Sequence, residues 1–166
     1  SGVIVLPQSL GAARTPSALA RIDHAGAATY EFDLDWALAP VAVDAGYAAV
    51  HTGSIAAVAP TDPPGALVDL LTRSRATATV TYDPNLRPSI MGTPEAVRSD
   101  VTRLVAVADV VKASDEDLAW LCPGEDPSDI IARWVAEHDL ALGVVTRGAD
   151  GPLAVLSTGE RVEVPA

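Results

Sequence analysis

The stretch "DVVKASDEDLAWL", residues 109–121, changes period in its middle. Its first half is a short apolar run of the kind buried in a parallel sheet, and from Ser114 onward the pattern becomes helical. The change is marked by a cap: Ser114 is placed to accept from the Asp117 amide while the Asp117 carboxylate reaches back to Ser114. The same alternation extends in both directions. Upstream, "TATVTYD" (77–83) is a buried-strand candidate followed by a proline-rich loop and the helix "TPEAVRSDVTRLVAVA" (93–108). Downstream, the helix "DPSDIIARWVAEH" (126–138) precedes the strand "LALGVVT" (140–146). Earlier still, the strand-like "YAAVHTGSI" (47–55) leads to a helix in "PPGALVDLLTRSRA" (63–76), where Leu67, Leu70 and Leu71 share one face. Apolar strands separated by helices predict right-handed crossovers and an α/β fold, a mostly parallel sheet with helices on both faces. "TPSALARID" (15–23) and "ATYEFDLD" (28–35), joined by "HAG" with Gly26, predict a separate β-hairpin.

Composition limits the function classes. The 166 residues are 49% hydrophobic and 20% charged, enough for one domain with a sizeable core. With 22 acidic against 11 basic residues, a net charge of −11, the chain offers no basic surface for nucleic acid. Cys122 cannot form an internal disulfide, reads as an inert, partly buried side chain, and shares no ligand-like spacing with His24, His51 or His138. No apolar run reaches the ~18 residues that span a bilayer, and "SGVIVLPQSL" lacks the basic start of a signal peptide. The expectation is a cytoplasmic protein that contacts neither membrane nor nucleic acid.

In open parallel sheets, ligands gather beyond the carboxyl ends of the strands, and here those ends are polar. After "TVTYD" comes "DPNLRP": Asp83 and Asn85 bring oxygens, and Arg87 brings a planar cation able to grip a carboxylate or phosphate. The same residues are good turn chemistry, with Pro88 expected to stop any helix. After "DVVK" comes "ASDEDL". The capping box and the helix dipole account for its acidic cluster. An alternative is that its oxygens hold magnesium, directly or through water. Lys112, the only lysine, stands at the same strand end. "HTGSIAAV" offers Gly53 and a capping Ser54. "VVTRGADGPLAV" (144–155) places Gly148 and Gly151 after a strand, either as a tight turn or as a loop whose amides cradle an anion. It matches neither GxxxxGK[ST] nor GxGxxG, which lowers the case for a dinucleotide enzyme.

Taken in order, "DPNLRP", "ADVVKASDEDLAWL" and "VVTRGADGPLAV" resemble the ribokinase-like (PfkB-type) carbohydrate kinases, most of all their fructokinase branch. "TPSALARIDHAGAATYEFD" and "HTGSIAA" are similar to segments that precede these motifs in that family. The resemblance implies a ribokinase-like kinase domain whose hairpin, residues 15–35, belongs to a small β lid that closes over the sugar. It implies ATP and Mg2+ as cofactors and a small-molecule sugar, a ketose such as fructose, as the substrate phosphorylated. By position, it sets Asn85 and Arg87 where sugar and transferred phosphoryl group meet. The family's Asn-x-x-Glu motif falls on Ser114 to Asp117, with Ser114 toward the nucleotide and Asp117 toward Mg2+, both departing from the commonest residues but keeping an oxygen. The Thr-x-Gly-x-x-Gly loop falls on Thr146, Gly148 and Gly151, facing ATP phosphates and ribose, and Lys112 points into the same crevice. The resemblance further implies a homodimer through the lid strands, with "TYEFD" as the strand that pairs.

Two family features are expected outside this sequence. One is an N-terminal strand with a glycine-rich, asparagine-containing segment that contacts the sugar. The other is a Gly-Ala-Gly-Asp motif beyond Ala166, which carries the catalytic base and anion hole. Residues 1–166 are therefore expected to be part of one kinase domain and, alone, inactive. The alternatives are a ribose, ketodeoxygluconate or nucleoside kinase of the same family, or a non-catalytic kinase-like protein that binds a sugar or nucleotide.

Overall fold

The computed structural model describes residues 2–6, 15–22, 24, 28–33, 46–53 and 65–166. Strands β1 (Ser17–Ile22) and β2 (Ala28–Asp33) pair antiparallel, from Ser17 with Asp33 to Ile22 with Ala28, in a two-stranded sheet of their own. The expected hairpin is thus present, though Ala25 and Gly26 of its "HAG" turn (residues 24–26) lie outside the described residues. Leu19, Ile22 and Tyr30 are exposed, Tyr30 stacks on Phe32 along β2, and an exposed Arg21–Glu31 ion pair crosses between the two strands.

The other described strands form a six-stranded sheet in sequential order: β3 (Ala49–Thr52), β4 (Thr79–Tyr82), β5 (Val110–Ser114), β6 (Leu142–Thr146), β7 (Leu153–Leu156) and β8 (Arg161–Glu163). The first four run parallel and the last two antiparallel. Helix α1 (Gly65–Ser74) connects β3 to β4. Between β4 and β5 lie the one-turn α2 (Pro88–Met91) and α3 (Pro94–Val105). Between β5 and β6 lie α4 (Asp115–Leu121) and α5 (Pro127–His138).

The helices form where the sequence pattern places them, for identifiable reasons. In α1, Leu67 and Leu71 are buried one turn apart and Leu70 is partly buried beside them. Both α3 and α5 open on a proline at the first helical position, where its missing N–H and fixed φ cost nothing. Asp126 caps α5 by accepting from the Ser128 amide at 2.7 Å, and the helix stops at Asp139, whose φ of 55° is left-handed. One expectation needs correction: Pro88 does not end helical structure but begins the single turn of α2. A proline is excluded from a helix interior yet fits its first turn.

Burial alternates along every central strand. Val80, Tyr82, Val111, Ala113, Val145, Leu153 and Val155 are buried, while their neighbours Thr81, Lys112, Val144 and Ala154 are half-buried. Parallel strands in sequential order joined by right-handed crossovers carry their connecting helices on one face. That face is the core, closed by Val97, Val101, Leu104, Leu118, Ile130, Ile131 and Trp134. The described residues thus cover one of the two faces expected to carry helices. Gly143 shows how tightly: a Cβ there would lie 2.7 Å from Ile131 and 2.8 Å from Val135, so α5 packs flat against β6 only because position 143 has no side chain. The Tyr82 hydroxyl is buried with no hydrogen-bond partner among the described residues. Burial, reinforced by Asp83, Asp117 and Asp100, pushes its pKa well above the usual tyrosine range.

Candidate functional site

The parallel arrangement of β3 to β6 brings their carboxyl ends to one edge of the sheet, and three of the predicted motifs meet there. Ser114 and Thr146 are register partners at the last residues of β5 and β6. The Thr146 hydroxyl donates weakly to the Ala113 carbonyl at 3.4 Å.

The loop after β4 is held from several directions. One Asp83 oxygen accepts from the Asn85 amide at 3.1 Å and the other from Lys112 Nζ at 3.2 Å. This Asp-turn bends Asn85 into a left-handed conformation, φ 37°, which asparagine tolerates better than most residues. Arg87 is half-buried, and its guanidinium donates to the loop's own carbonyls, Asn85 O at 3.2 Å and Leu86 O at 2.8 Å. No ion pair to Arg87 is formed among the described residues, so its charge faces the loop uncompensated by a carboxylate. Lys112, expected to point at the nucleotide, instead forms an ion pair with Asp83.

At the start of α4 the capping box forms as expected: the Asp117 amide donates to Ser114 Oγ at 3.0 Å and the Ser114 amide to Asp117 Oδ2 at 3.3 Å. The other Asp117 oxygen is committed too. Oδ1 accepts from the Leu86 amide at 2.8 Å, a buried bond between the β4 loop and α4. Sequence reasoning missed this partner. It also missed Glu116 and Trp120, which with Asn85, Arg87, Ser114 and Asp117 line a cleft of about 270 Å³. The available signal was spacing: Glu116 and Trp120 stand four apart on α4, one above the other.

The two glycines of the opposite loop differ. Gly148, φ 52°, is exposed, and a Cβ there would meet nothing within 4 Å. Gly151, φ 73°, is buried, and a Cβ there would fall 1.9 Å from the Val164 carbonyl oxygen. Its lack of a side chain accommodates the chain's own backbone where it leaves β8. Arg147 braces the turn, donating from Nε to Gly151 O at 2.9 Å and pairing with Glu163 at 3.2 Å. Gly53 lies at the end of β3, and Ser54 lies outside the described residues.

Among the described residues, no group of three or more His, Cys, Asp or Glu side chains is arranged to hold a metal ion. A single carboxylate whose two oxygens already accept amide protons fits a magnesium ion that keeps its waters and is carried on nucleotide phosphates, not a protein cage. Cys122 is buried, and desolvation, helped by Glu125, pushes its thiol pKa up, as suits an unreactive side chain. No helix among the described residues is long and apolar enough to cross a membrane.

The pfkB family carbohydrate kinase model matches residues 23–166. A fructokinase of Rhizobium leguminosarum bv. trifolii is 35% identical over 104 residues, which are 62% of this chain and 31% of that one. The structure of a Vibrio cholerae fructokinase double mutant, bound to fructose, ADP and potassium, superposes with a TM-score of 0.73 at 23% identity, covering 90% of this chain and 50% of that one. A ribokinase II of E. coli in complex with ATP and Mg2+ superposes with a TM-score of 0.56 at 20% identity, covering 72% and 38%. At such identities the two structures speak to the ribokinase-like fold alone. This chain spans a third to a half of the length of these relatives. With the family match covering most of the sequence, the chain belongs to the pfkB family of carbohydrate kinases.

Proposed function

We propose that this protein is an ATP-dependent sugar kinase of fructokinase type, transferring the terminal phosphoryl group of ATP to a hydroxyl of a ketose such as fructose. The observation that carries the proposal is the convergence at one sheet edge of "DPNLRP", the capped Ser114–Asp117 turn and the Thr146 loop, with the first two joined directly through Leu86 and Asp117. Phosphoryl transfer depends on positioning and on charges that offset those of the migrating group, which suits an edge assembled from fixed loops. The curated relative's identity as a fructokinase supports the choice of sugar.

In this reading Asn85 orients the sugar, and Arg87 swings from its own loop carbonyls to the transferred phosphoryl group. Ser114, Thr146 and the open amide surface at Gly148 contact the nucleotide, with Gly151 shaping the turn that presents Gly148. Lys112 reaches the nucleotide only by releasing Asp83, and its standing role is to fix that carboxylate. The Asp117 carboxylate would help hold Mg2+, directly or through water, and the ion would supply charge neutralisation on the phosphates when bound. The β1–β2 hairpin acts as the lid over the sugar, and its exposed Leu19, Ile22 and Tyr30 pair it with the lid of a second subunit.

The test is an ADP-release assay on the full-length protein with fructose, ribose, ketodeoxygluconate and adenosine, with and without magnesium. Fructose is expected to raise turnover above background only when magnesium is present, and a flat response to all four refutes the proposal. Arg87→Ala is expected to lower kcat by roughly 100-fold while leaving ATP binding nearly unchanged. An unchanged kcat reduces Arg87 to a turn residue.

A further inference from the structure

We infer that Asp117 is a positioning residue for the Asn85–Arg87 loop, acting through the Leu86 amide. The inference rests on the kinase reading for its consequence in turnover, but its structural content stands independently.

The capping box explains only one of the two Asp117 oxygens. Closing the box requires Oδ2, which accepts from the Ser114 amide, while Oδ1 is spent on a residue 31 positions earlier in the chain. That residue, Leu86, lies between the two side chains assigned to the sugar and the phosphoryl group. Its own side chain is buried, so its amide is withdrawn from water and depends on the carboxylate for a partner. Asp117 is itself only 9% exposed, so the bond is formed in a poorly hydrated place and involves a charged acceptor, the stronger class of hydrogen bond.

The loop needs such support. Asn85 is held at a positive φ, and its local anchor, the Asp83 turn, is half-exposed and shares its carboxylate with a lysine that is 42% exposed. Arg87 donates to the Asn85 and Leu86 carbonyls, so the position of its guanidinium follows the loop backbone. Asp117 therefore fixes where Arg87 starts its reach, and it ties that position to the first turn of α4 beside Ser114. The sugar side and the nucleotide side of the site are coupled through one carboxylate.

Asp117→Asn tests this. The amide keeps the size of the side chain but offers one acceptor oxygen where two amide donors compete. Hydrogen–deuterium exchange on the full-length protein is expected to show the Leu86 amide protected in the native protein, although it lies in a loop, and exchanging about tenfold faster or more in D117N. In the full-length kinase at saturating Mg2+, D117N is expected to raise the sugar KM severalfold and lower kcat. Because Mg2+ is saturating, adding more of the ion is not expected to restore the lost activity. The effect should shrink in an Arg87→Ala background, because both changes act through one loop. A Leu86 amide that exchanges freely in the native protein overturns the inference without any variant, which also covers a D117N chain that fails to fold. A D117N enzyme restored fully by raising Mg2+ overturns it in favour of a role at the metal alone. A loss of stability with KM and kcat unchanged overturns it in favour of a helix cap alone. Absence of sugar turnover in the native enzyme refutes the kinase proposal and leaves the exchange result to decide the hydrogen bond.

Discussion

Substituting the two glycines after β6 separates a turn from a phosphate loop. At Gly151 an alanine Cβ would sit 1.9 Å from the Val164 carbonyl oxygen and 3.0 Å from the Ala166 amide nitrogen. To regain a contact of about 3.4 Å, the segment leaving β8 must retreat by about 1.5 Å. That displacement breaks the Val164 amide's bond to the Pro152 carbonyl, now 3.1 Å, and loosens the Arg147–Glu163 pair. The residue must also hold φ 73° and ψ 165°, a region essentially reserved for glycine that costs of order 1–3 kcal/mol by itself. Gly151→Ala is thus expected to destabilise the protein by about 2 kcal/mol or more. At Gly148 nothing lies within 4 Å of the added Cβ, and only the left-handed φ of 52° is penalised, about 1 kcal/mol. Urea denaturation followed by circular dichroism measures both. On the proposed kinase reading, the order is expected to reverse for nucleotide in the full-length protein: Gly148→Ala, which would put a methyl where a phosphate approaches, should weaken ATP binding more. If Gly151→Ala proves no more destabilising than Gly148→Ala, the account of β8 closing over Gly151 is wrong.

Two further outcomes follow from the packing and the caps. Gly143→Ala places a methyl against Ile131 Cγ1 and Val135 Cγ2 on α5 and is expected to cost about 1–3 kcal/mol, and to cost clearly less in an Ile131→Ala, Val135→Ala background, where both contacting atoms are gone. An equal cost in that background would place the conflict elsewhere than at those contacts. At the start of α5, the Ser128 amide holds the Asp126 carboxyl below its ordinary value of 3.8. A depressed folded-state pKa adds stability that is present above the unfolded value and lost as pH falls through the folded one, so the loss belongs below about pH 4. Denaturation midpoints measured from neutral pH downward should therefore fall less steeply in that range for Asp126→Asn than for the native protein, and equal slopes would contradict the assignment.

The fold was legible where a segment's own side chains declare both its period and its ends. β4, β5 and β6 are apolar runs, and the helices between them start at Pro94, at the Ser114 cap and at Asp126 with Pro127. β8 offered no such signal. Arg161, Val162 and Glu163 are all exposed, and only pairing with β7 makes them a strand. The site was legible to the same depth. Its residues stand at strand ends, and sheet topology alone brings strand ends together. The bonds that join them could not be read, because the donor to Asp117 is a backbone amide, and every residue but proline has one.

The glycine loop shows what that limit means for function. From sequence, Gly148 and Gly151 were equivalent, two small residues after a strand, and either a turn or an anion cradle explained both. The structure makes them unlike. The space over Gly151 is filled by the Val164 carbonyl, so the absence of its side chain serves the fold, while the space over Gly148 is open and lies on the side of the sheet where Ser114 and Thr146 end their strands. On the proposed kinase reading, a phosphate approaching this loop meets bare backbone at Gly148. Turn and cradle are then two glycines of one loop, three residues apart, Gly151 letting the chain close behind the loop as it leaves β8 and Gly148 leaving its front bare.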